Sequence, residues 1–300
     1  MAAISRAQLL KELLPGLNAL FGLEYKRYEN QHTELYETEN SERSFEEEVK
    51  LSGFASAPVK NEGAALVYDN AQESYISRYT HETIAMGFSL TEEAVEDNLY
   101  DSLSARYTKA LARAMAYTKQ VKAAAVLNTG FATTGGDGVA LFSASHPLVS
   151  GGVNSNLGTA ADLSESTLEA AVIQINQWTD ERGLLLVAKP KKLVIPPQLQ
   201  FVATRILETE KRVGTADNDL NAMKNNGIFP GGYTVNNYLT DTNAYFILTD
   251  IPNGLKHFVR VPMKTGMDSD FDTGNARYKA RERYSFGWSD HLGVWGSAGS

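Results

Sequence analysis

Arg277-Tyr278-Lys279-Ala280-Arg281-Glu282-Arg283-Tyr284-Ser285-Phe286-Gly287-Trp288 changes character at almost every step. Read with period two, Arg277, Lys279, Arg281 and Arg283 fall on one side. Tyr278, Ala280, Glu282, Tyr284, Phe286 and Trp288 fall on the other. Successive side chains of a strand point to opposite faces, so this reads as a β-strand with a cationic row and a mostly aromatic row. The aromatic row needs a large surface inside the subunit. Four like charges in a row repel unless an acidic partner lies opposite. Two uses fit the cationic row: an intersubunit contact, or a solvated edge strand whose cations guard against aggregation.

Outward from that strand, 300 residues allow one large domain or two to three smaller ones, and 43% hydrophobic content is ample for a core. The net charge of -8 argues against nucleic-acid binding as the main task, because counterion release needs clustered cations. A local basic surface facing DNA stays compatible with it. The chain has no cysteine, so disulfides, thiolate metal sites and cysteine catalysis are excluded, and a cytoplasmic origin fits. Residues 1–16 are not a secretory signal, since Arg6, Lys11 and Glu12 interrupt the apolar residues. Leu9, Leu10, Leu13 and Leu14 predict a short helix ended by Pro15 and Gly16. No uncharged stretch approaches the ~18 residues of a membrane span, and no membrane partner is expected.

Residues 24–48 carry nine glutamates against three basic residues, which predicts a segment that covers a surface rather than builds a core. Residues 49–88 predict a long polar hairpin turning between Gly53 and Gly63, a structure that needs a surface to rest on. Residues 91–127 contain neither glycine nor proline and carry Glu92, Glu93 and Glu96 at their start. Val95, Leu99, Leu103, Tyr107, Leu111, Met115 and Val121 predict the apolar stripe of one helix roughly 55 Å long. Residues 129–158 are rich in glycine, serine and asparagine and predict a long loop at a domain boundary. A second helix is predicted over 166–182, with Ser166 and Glu169 as a capping box and Gly183 as C-cap. A strand at 192–195, a helix at 198–208 and strands at 233–239 and 244–248 complete an α+β pattern.

No motif carries catalysis. Ser289, Asp290 and His291 are adjacent and cannot form a relay from one strand. Ser143-Ala144-Ser145-His146-Pro147 reads as turn chemistry, and no phosphate-binding glycine motif is present. Asp268, Asp270 and Asp272 resemble the start of a calcium loop, but Thr273 and Lys279 stand where its glycine and glutamate belong. His32, His81, His146, His257 and His291 show no helical pairing, so a zinc site would have to be assembled by the fold. Lys189-Pro190-Lys191-Lys192 reads as a solvated strand entry. No catalytic residue, cofactor-binding residue or metal ligand is assigned, and no enzyme is expected.

Several motifs occur in a telling order. Residues 164–183 precede Lys192, Val194, Ile195, Pro196 and Pro197, and the helix 199–207 follows. Then come Asp241-Thr242-Asn243-Ala244-Tyr245-Phe246-Ile247-Leu248 and Arg281 with Tyr284-Ser285-Phe286-Gly287-Trp288. Gly293-Val294-Trp295-Gly296-Ser297 forms the ending, and the loop Phe142-Ser143-Ala144-Ser145-His146-Pro147 belongs to the same set. From about residue 40 onward the chain resembles the major capsid protein of tailed phages, nearest the Mu-like major head subunit family with its Hong Kong 97 type of fold.

The resemblance implies an N-terminal arm at 1–48, an extended loop hairpin at 49–88, and a peripheral domain with a spine helix at 89–135. An axial domain with its preceding loop follows at 136–255, then return strands of the peripheral domain and a C-terminal tail at 256–300. It implies a structural protein of the virion, assembled in the host cytoplasm as hexamers and pentamers into an icosahedral shell around double-stranded DNA. A separate scaffolding protein is expected because no long scaffolding extension precedes the arm; a portal and a decoration protein are further partners. The expected intersubunit contacts join Arg277, Lys279, Arg281 and Arg283 to Glu46, Glu47 and Glu48 of an adjacent arm. Lys60 lies near the hairpin tip, where some relatives crosslink a lysine to an asparagine. Two rivals remain: an encapsulin-like compartment shell, and a soluble enzyme or calcium-dependent binding module using Asp268, Asp270 and Asp272.

Overall fold

The alternating stretch forms β11 (Ala276–Trp288) in a computed structural model that describes residues 6–91, 100–211, 219–269 and 274–300. Burial alternates as the sequence predicts: Tyr278, Ala280, Glu282 and Tyr284 are inside, while Arg277, Lys279 and Arg281 are exposed and Arg283 is half-buried. The strand does not lie at an edge. It sits between β10 (Leu255–Ser269) and β4 (Glu82–Leu90), antiparallel to both, and β1 (Glu37–Asn40) pairs in parallel with β10. The edge-strand reading is corrected for a simple reason. A cationic row has the same sequence signature on a central strand, and most of the flanking positions here are small neighbours, with the charged Asp268 and Lys264 among the rest. Thr83, Ala85, Gly87 and Ser89 on β4 and Gly266 on β10 are the small ones.

The other face of this sheet is covered by two helices, α1 (Arg6–Arg27) and α2 (Tyr100–Asn128). Leu17, Phe21, Leu111, Ala112 and Met115 pack with Tyr278 and Ala280, and Leu14, Tyr25, Ile84 and Phe88 close the cluster. The helix does not end at Pro15 but runs through it. A proline inside a helix costs roughly 3 kcal/mol. Leu14, Leu17, Phe21 and Tyr25 share one face, and burying each such side chain returns about 1.5–3 kcal/mol, so packing on α2 outweighs the proline. In α2, Leu111 and Met115 are buried as predicted, but Tyr107 and Val121 are exposed. The buried face is instead built from Leu111, Ala112, Met115, Ala116, Ala123, Ala124 and Leu127. Alanines carry little periodic signal yet admit close approach. Val95 and Leu99 lie outside the described residues.

Part of the acidic segment also enters the core. A 3-10 turn over Gln31–Glu34 buries His32, and Leu35 and Tyr36 join a cluster with Leu127, Leu141, Phe142, Phe246 and Val294. The next segment forms a hairpin of β2 (Phe45–Leu51) and β3 (Glu73–Thr80). Its inner side rests on the body, as a polar hairpin must: the Tyr75 hydroxyl donates to the Ser289 carbonyl at 2.9 Å, and Lys50 pairs with Asp290 at 2.7 Å.

The second sheet has the order β12-β9-β7-β8, formed by β7 (Pro190–Ile195), β8 (Tyr233–Val235), β9 (Tyr245–Thr249) and β12 (Val294–Ser297). The short β5 (His146–Pro147) and β6 (Val153–Asn154) pair within the loop that precedes it. Helices α3 (Glu165–Asn176) and α4 (Gln200–Leu207) pack Leu168, Ile175 and Ala203 against Leu193, Ile195, Tyr245, Ile247 and Trp295. The cap of α3 is Ser164 with Thr167, not Ser166 with Glu169. The helix ends at Asn176, and Gly183, with φ of 83°, closes the turn after Asp180 instead. The predicted strand 233–239 stops at Val235, where the Asn236 side chain accepts from the Tyr238 amide and turns the chain.

Candidate assembly surfaces

The register of the first sheet defines a cationic face. Across β10, Arg277 faces Asp268, Lys279 faces Gly266, Arg281 faces Lys264 and Arg283 faces Val261. Across β4, the same four residues face Ser89, Gly87, Ala85 and Thr83. Lys264 is exposed and adds a fifth cation to the row. β4 itself pairs only with β11, so its far side is an edge among the described residues. Over its nine residues the only charge is Glu82, and there is no proline. Natural edge strands of this length usually carry lysine, proline or a bulge against strand addition. This edge has none of those guards. Sequence reasoning missed it, although the absence of gatekeepers in Glu82–Leu90 was a readable signal.

Glu46, Glu47 and Glu48 do not meet the cationic row within one subunit. Glu46 accepts from the Ser41 hydroxyl at 2.7 Å, and Glu47 lies 3.7 Å from Arg78. Glu48 lies 3.6 Å from Lys256 and accepts from the Ser289 hydroxyl. Lys256 is buried and also meets Glu37 and Glu39. Burial works against its ammonium, but the Glu39 hydrogen bond and the surrounding carboxylates outweigh it and raise its pKa. Lys60 is exposed in the hairpin tip. In the same tip Phe54, Val59, Leu66, Val67 and Tyr68 are all exposed, and Tyr68 is 89% accessible. So many uncovered apolar groups in one loop mark a contact surface.

The polar clusters inside the molecule serve its architecture. Glu282 is buried between Lys119 at 3.3 Å and the Tyr25 hydroxyl, also at 3.3 Å. Burial pushes its carboxyl up, and Lys119 and Tyr25 oppose that shift. The fold also assembles Asp137, His146 and His291. His146 Nδ1 lies 2.5 Å from Asp137 Oδ2, and Nε2 faces the Leu141 carbonyl and Asn156 Oδ1 at 3.2 and 3.1 Å. Both ring nitrogens of His146 thus face oxygen atoms that the fold itself supplies. His291 stacks on it at 3.8 Å with the rings nearly parallel, so the two rings do not aim at one point. These contacts pack Asp137, His146 and His291 into one buried junction. Ser289, Asp290 and His291 serve separate neighbours: Ser289 bonds Tyr79 and Glu48, Asp290 caps Leu292 and holds Lys50, and His291 stacks on His146. Of the calcium-like aspartates, Asp268 faces Arg277 in the ladder, and Asp270 and Asp272 lie outside the described residues.

A mixed sheet backed by a long helix, a hairpin projecting from it and a second α+β sheet define the Hong Kong 97 type of shell fold. Solved structures share it. The capsid of cyanophage P-SCSP1u superposes with a TM-score of 0.58 at 11% identity, over 89% of this chain and 86% of that chain. The capsid of an empty GTA particle gives 0.56 at 13% identity, covering 89% of each. The SrpI encapsulin of Synechococcus elongatus PCC 7942 gives 0.54 at 9% identity, over 89% of this chain and 86% of that one. No curated protein matches the sequence. The phage capsid protein family does match, over residues 74–296, and the chain belongs to that family. It is a capsid shell protein, structural rather than catalytic. The enzyme and calcium-module rival is set aside by that membership.

Proposed function

We propose that the chain is the major head subunit of a tailed phage of the Mu-like branch, closing as hexamers and pentamers into an icosahedral shell around double-stranded DNA. The observation that carries this reading is the pairing of an unguarded strand edge and a cationic face with a hairpin tip full of uncovered apolar side chains. Residues 1–48 act as the arm, 49–88 as the extended loop, 89–135 and 256–300 as the peripheral domain, and 136–255 as the axial domain. The hairpin tip of one subunit lies along β4 of the next, adding main-chain hydrogen bonds at the free edge. Carboxylates of that neighbour, Glu46, Glu47 and Glu48 among them, come within reach of Arg277, Lys279, Arg281 and Arg283. Each exposed pair contributes only about 0–1 kcal/mol, but a closed shell repeats it in every subunit. Assembly takes place in the host cytoplasm with a separate scaffolding protein, and a portal and a decoration protein are further partners.

Electron microscopy of the purified protein, alone and co-expressed with its scaffold, tests the reading. Shells or capsomer rings are expected, and a monomer under both conditions overturns it. Shells that enclose enzyme cargo and no DNA point to the encapsulin-like alternative. Lys60 and its neighbours then report on crosslinking: a subunit ladder that survives boiling in detergent is the expected sign if Lys60 forms an isopeptide bond.

A further inference from the structure

The layer of α1 and α2 on the sheet has two solvent faces, and both are basic. One is the β-sheet row described above. The other is the outer side of α2. Within Tyr100–Asn128 there are five basic residues, Arg106, Lys109, Arg113, Lys119 and Lys122, and one acid, Asp101. That bias runs against a chain of 36 acidic and 28 basic residues. Three of the five cations are committed to carboxylates: Lys119 to buried Glu282, Lys122 to Glu82, and Lys109 to Glu24, which it shares with Arg27. Arg106 and Arg113 are exposed and meet no carboxylate among the described residues.

Arg106, Lys109, Arg113 and Tyr117 recur at three- and four-residue intervals, so they share one side of the helix. At 1.5 Å per residue, Arg106 and Arg113 stand about 10 Å apart along it. Lys109 and Arg27, joined through Glu24, extend the same patch onto α1. The surface is a convex rod with projecting guanidinium groups and no strand edge, unsuited to an added strand. It suits a polyanion whose charges repeat along a line.

We propose that this outer side of α2 is the lumenal surface of the shell and contacts the phosphate backbone of packaged double-stranded DNA through Arg106 and Arg113, without reading sequence. The inference rests on the shell reading above. The opposite face of the layer, with Arg281 and Arg283, then looks outward, where the arm or hairpin of a neighbouring subunit lies over it.

The test is binding of a labelled double-stranded DNA duplex to the full-length unassembled protein across a salt series. Each phosphate contact contributes about 0.9 to the slope of log affinity against log salt. Arg106→Ala with Arg113→Ala is expected to make that slope shallower by about 1.8, whereas Arg281→Ala with Arg283→Ala leaves it unchanged. Electron microscopy of the Arg106→Ala, Arg113→Ala protein is expected to show normal shells, which separates this claim from the shell reading. The proposal is overturned by wild-type protein that does not bind the duplex, by an unchanged slope in the α2 variant, or by loss in the β11 variant instead.

Discussion

Arg281 on β11 stands directly opposite Lys264 on β10, a like-charge cross-strand pair at the middle of the cationic face. Such a pair destabilises the subunit that carries it, by up to about 1 kcal/mol. A residue that weakens its own sheet and strengthens an assembly is what an interface predicts. Arg281→Glu should therefore leave the isolated subunit as stable as wild type or slightly more so, by denaturant midpoint. The same change should slow or abolish shell formation in light scattering. Loss of both together would mean that Arg281 serves the subunit rather than the contact.

Acid should loosen the junction between the Gln31–Glu34 turn and the sheet. Burial, chiefly, pushes His257 down to about 3 and His32 down to about 4 from an ordinary 6.5, with the Lys119 charge adding to both. The rings meet edge to face at 5.3 Å, and His257 also stacks on Phe286 at 4.3 Å. Both folded values lie below the unfolded one, so the stability is fully present above pH 6.5 and is lost as pH falls through about 4 and then about 3. The thermal midpoint of the unassembled subunit should drop over that window. His257→Gln should flatten the acid limb; parallel curves for the two proteins would rule the assignment out.

Lys119→Met leaves the carboxylate of Glu282 buried without its ion partner, although the Tyr25 hydroxyl still reaches it. Removing one partner of a buried pair costs about 3–5 kcal/mol, whereas replacing both by apolar groups is often neutral. The double change Lys119→Met, Glu282→Leu should then regain most of the loss in chemical denaturation. A double variant no better than the single one would show that Glu282 is held by something other than Lys119.

These three sites differ in how far the sequence announces them. The period-two alternation of residues 277–288 placed Tyr278, Ala280 and Tyr284 inside and the cations outside, because strand geometry converts directly into sequence pattern. It could not place β11 centrally, since strand order is fixed by partners more than 180 residues away on β4. The order of motifs around Pro196, Asn243 and Trp295 led to the right fold, and the helix, strand and helix near 165–207 followed with shifted caps. Alanine-lined packing of α2 and the passage of α1 through Pro15 stayed hidden, because both depend on what the helices bury and not on local propensity. The buried Lys119 and Glu282 pair joins residues far apart in the chain and leaves no spacing to read.

Gly158 gives the sharpest packing test. The indole of Trp295 lies against its α-carbon, and a methyl group there would overlap the ring. The ring cannot easily withdraw: its Nε1 donates to Gln174 Oε1 at 2.9 Å, and Tyr245 packs beside it. Gly158 also donates its amide to the Gly296 carbonyl at 2.8 Å, which fixes the backbone on the other side. Overpacking of a closed site costs about 1–3 kcal/mol, so Gly158→Ala should destabilise the subunit by that much, read from the shift of its denaturant midpoint. Gly152, in the same long loop, is the control. A methyl group there would meet only the Leu148 side chain, at an ordinary 3.7 Å. Gly152→Ala should stay within about 0.5 kcal/mol of wild type. Equal losses at the two positions would mean that the loop resists any side chain, and that the indole on Gly158 is not what sets the cost.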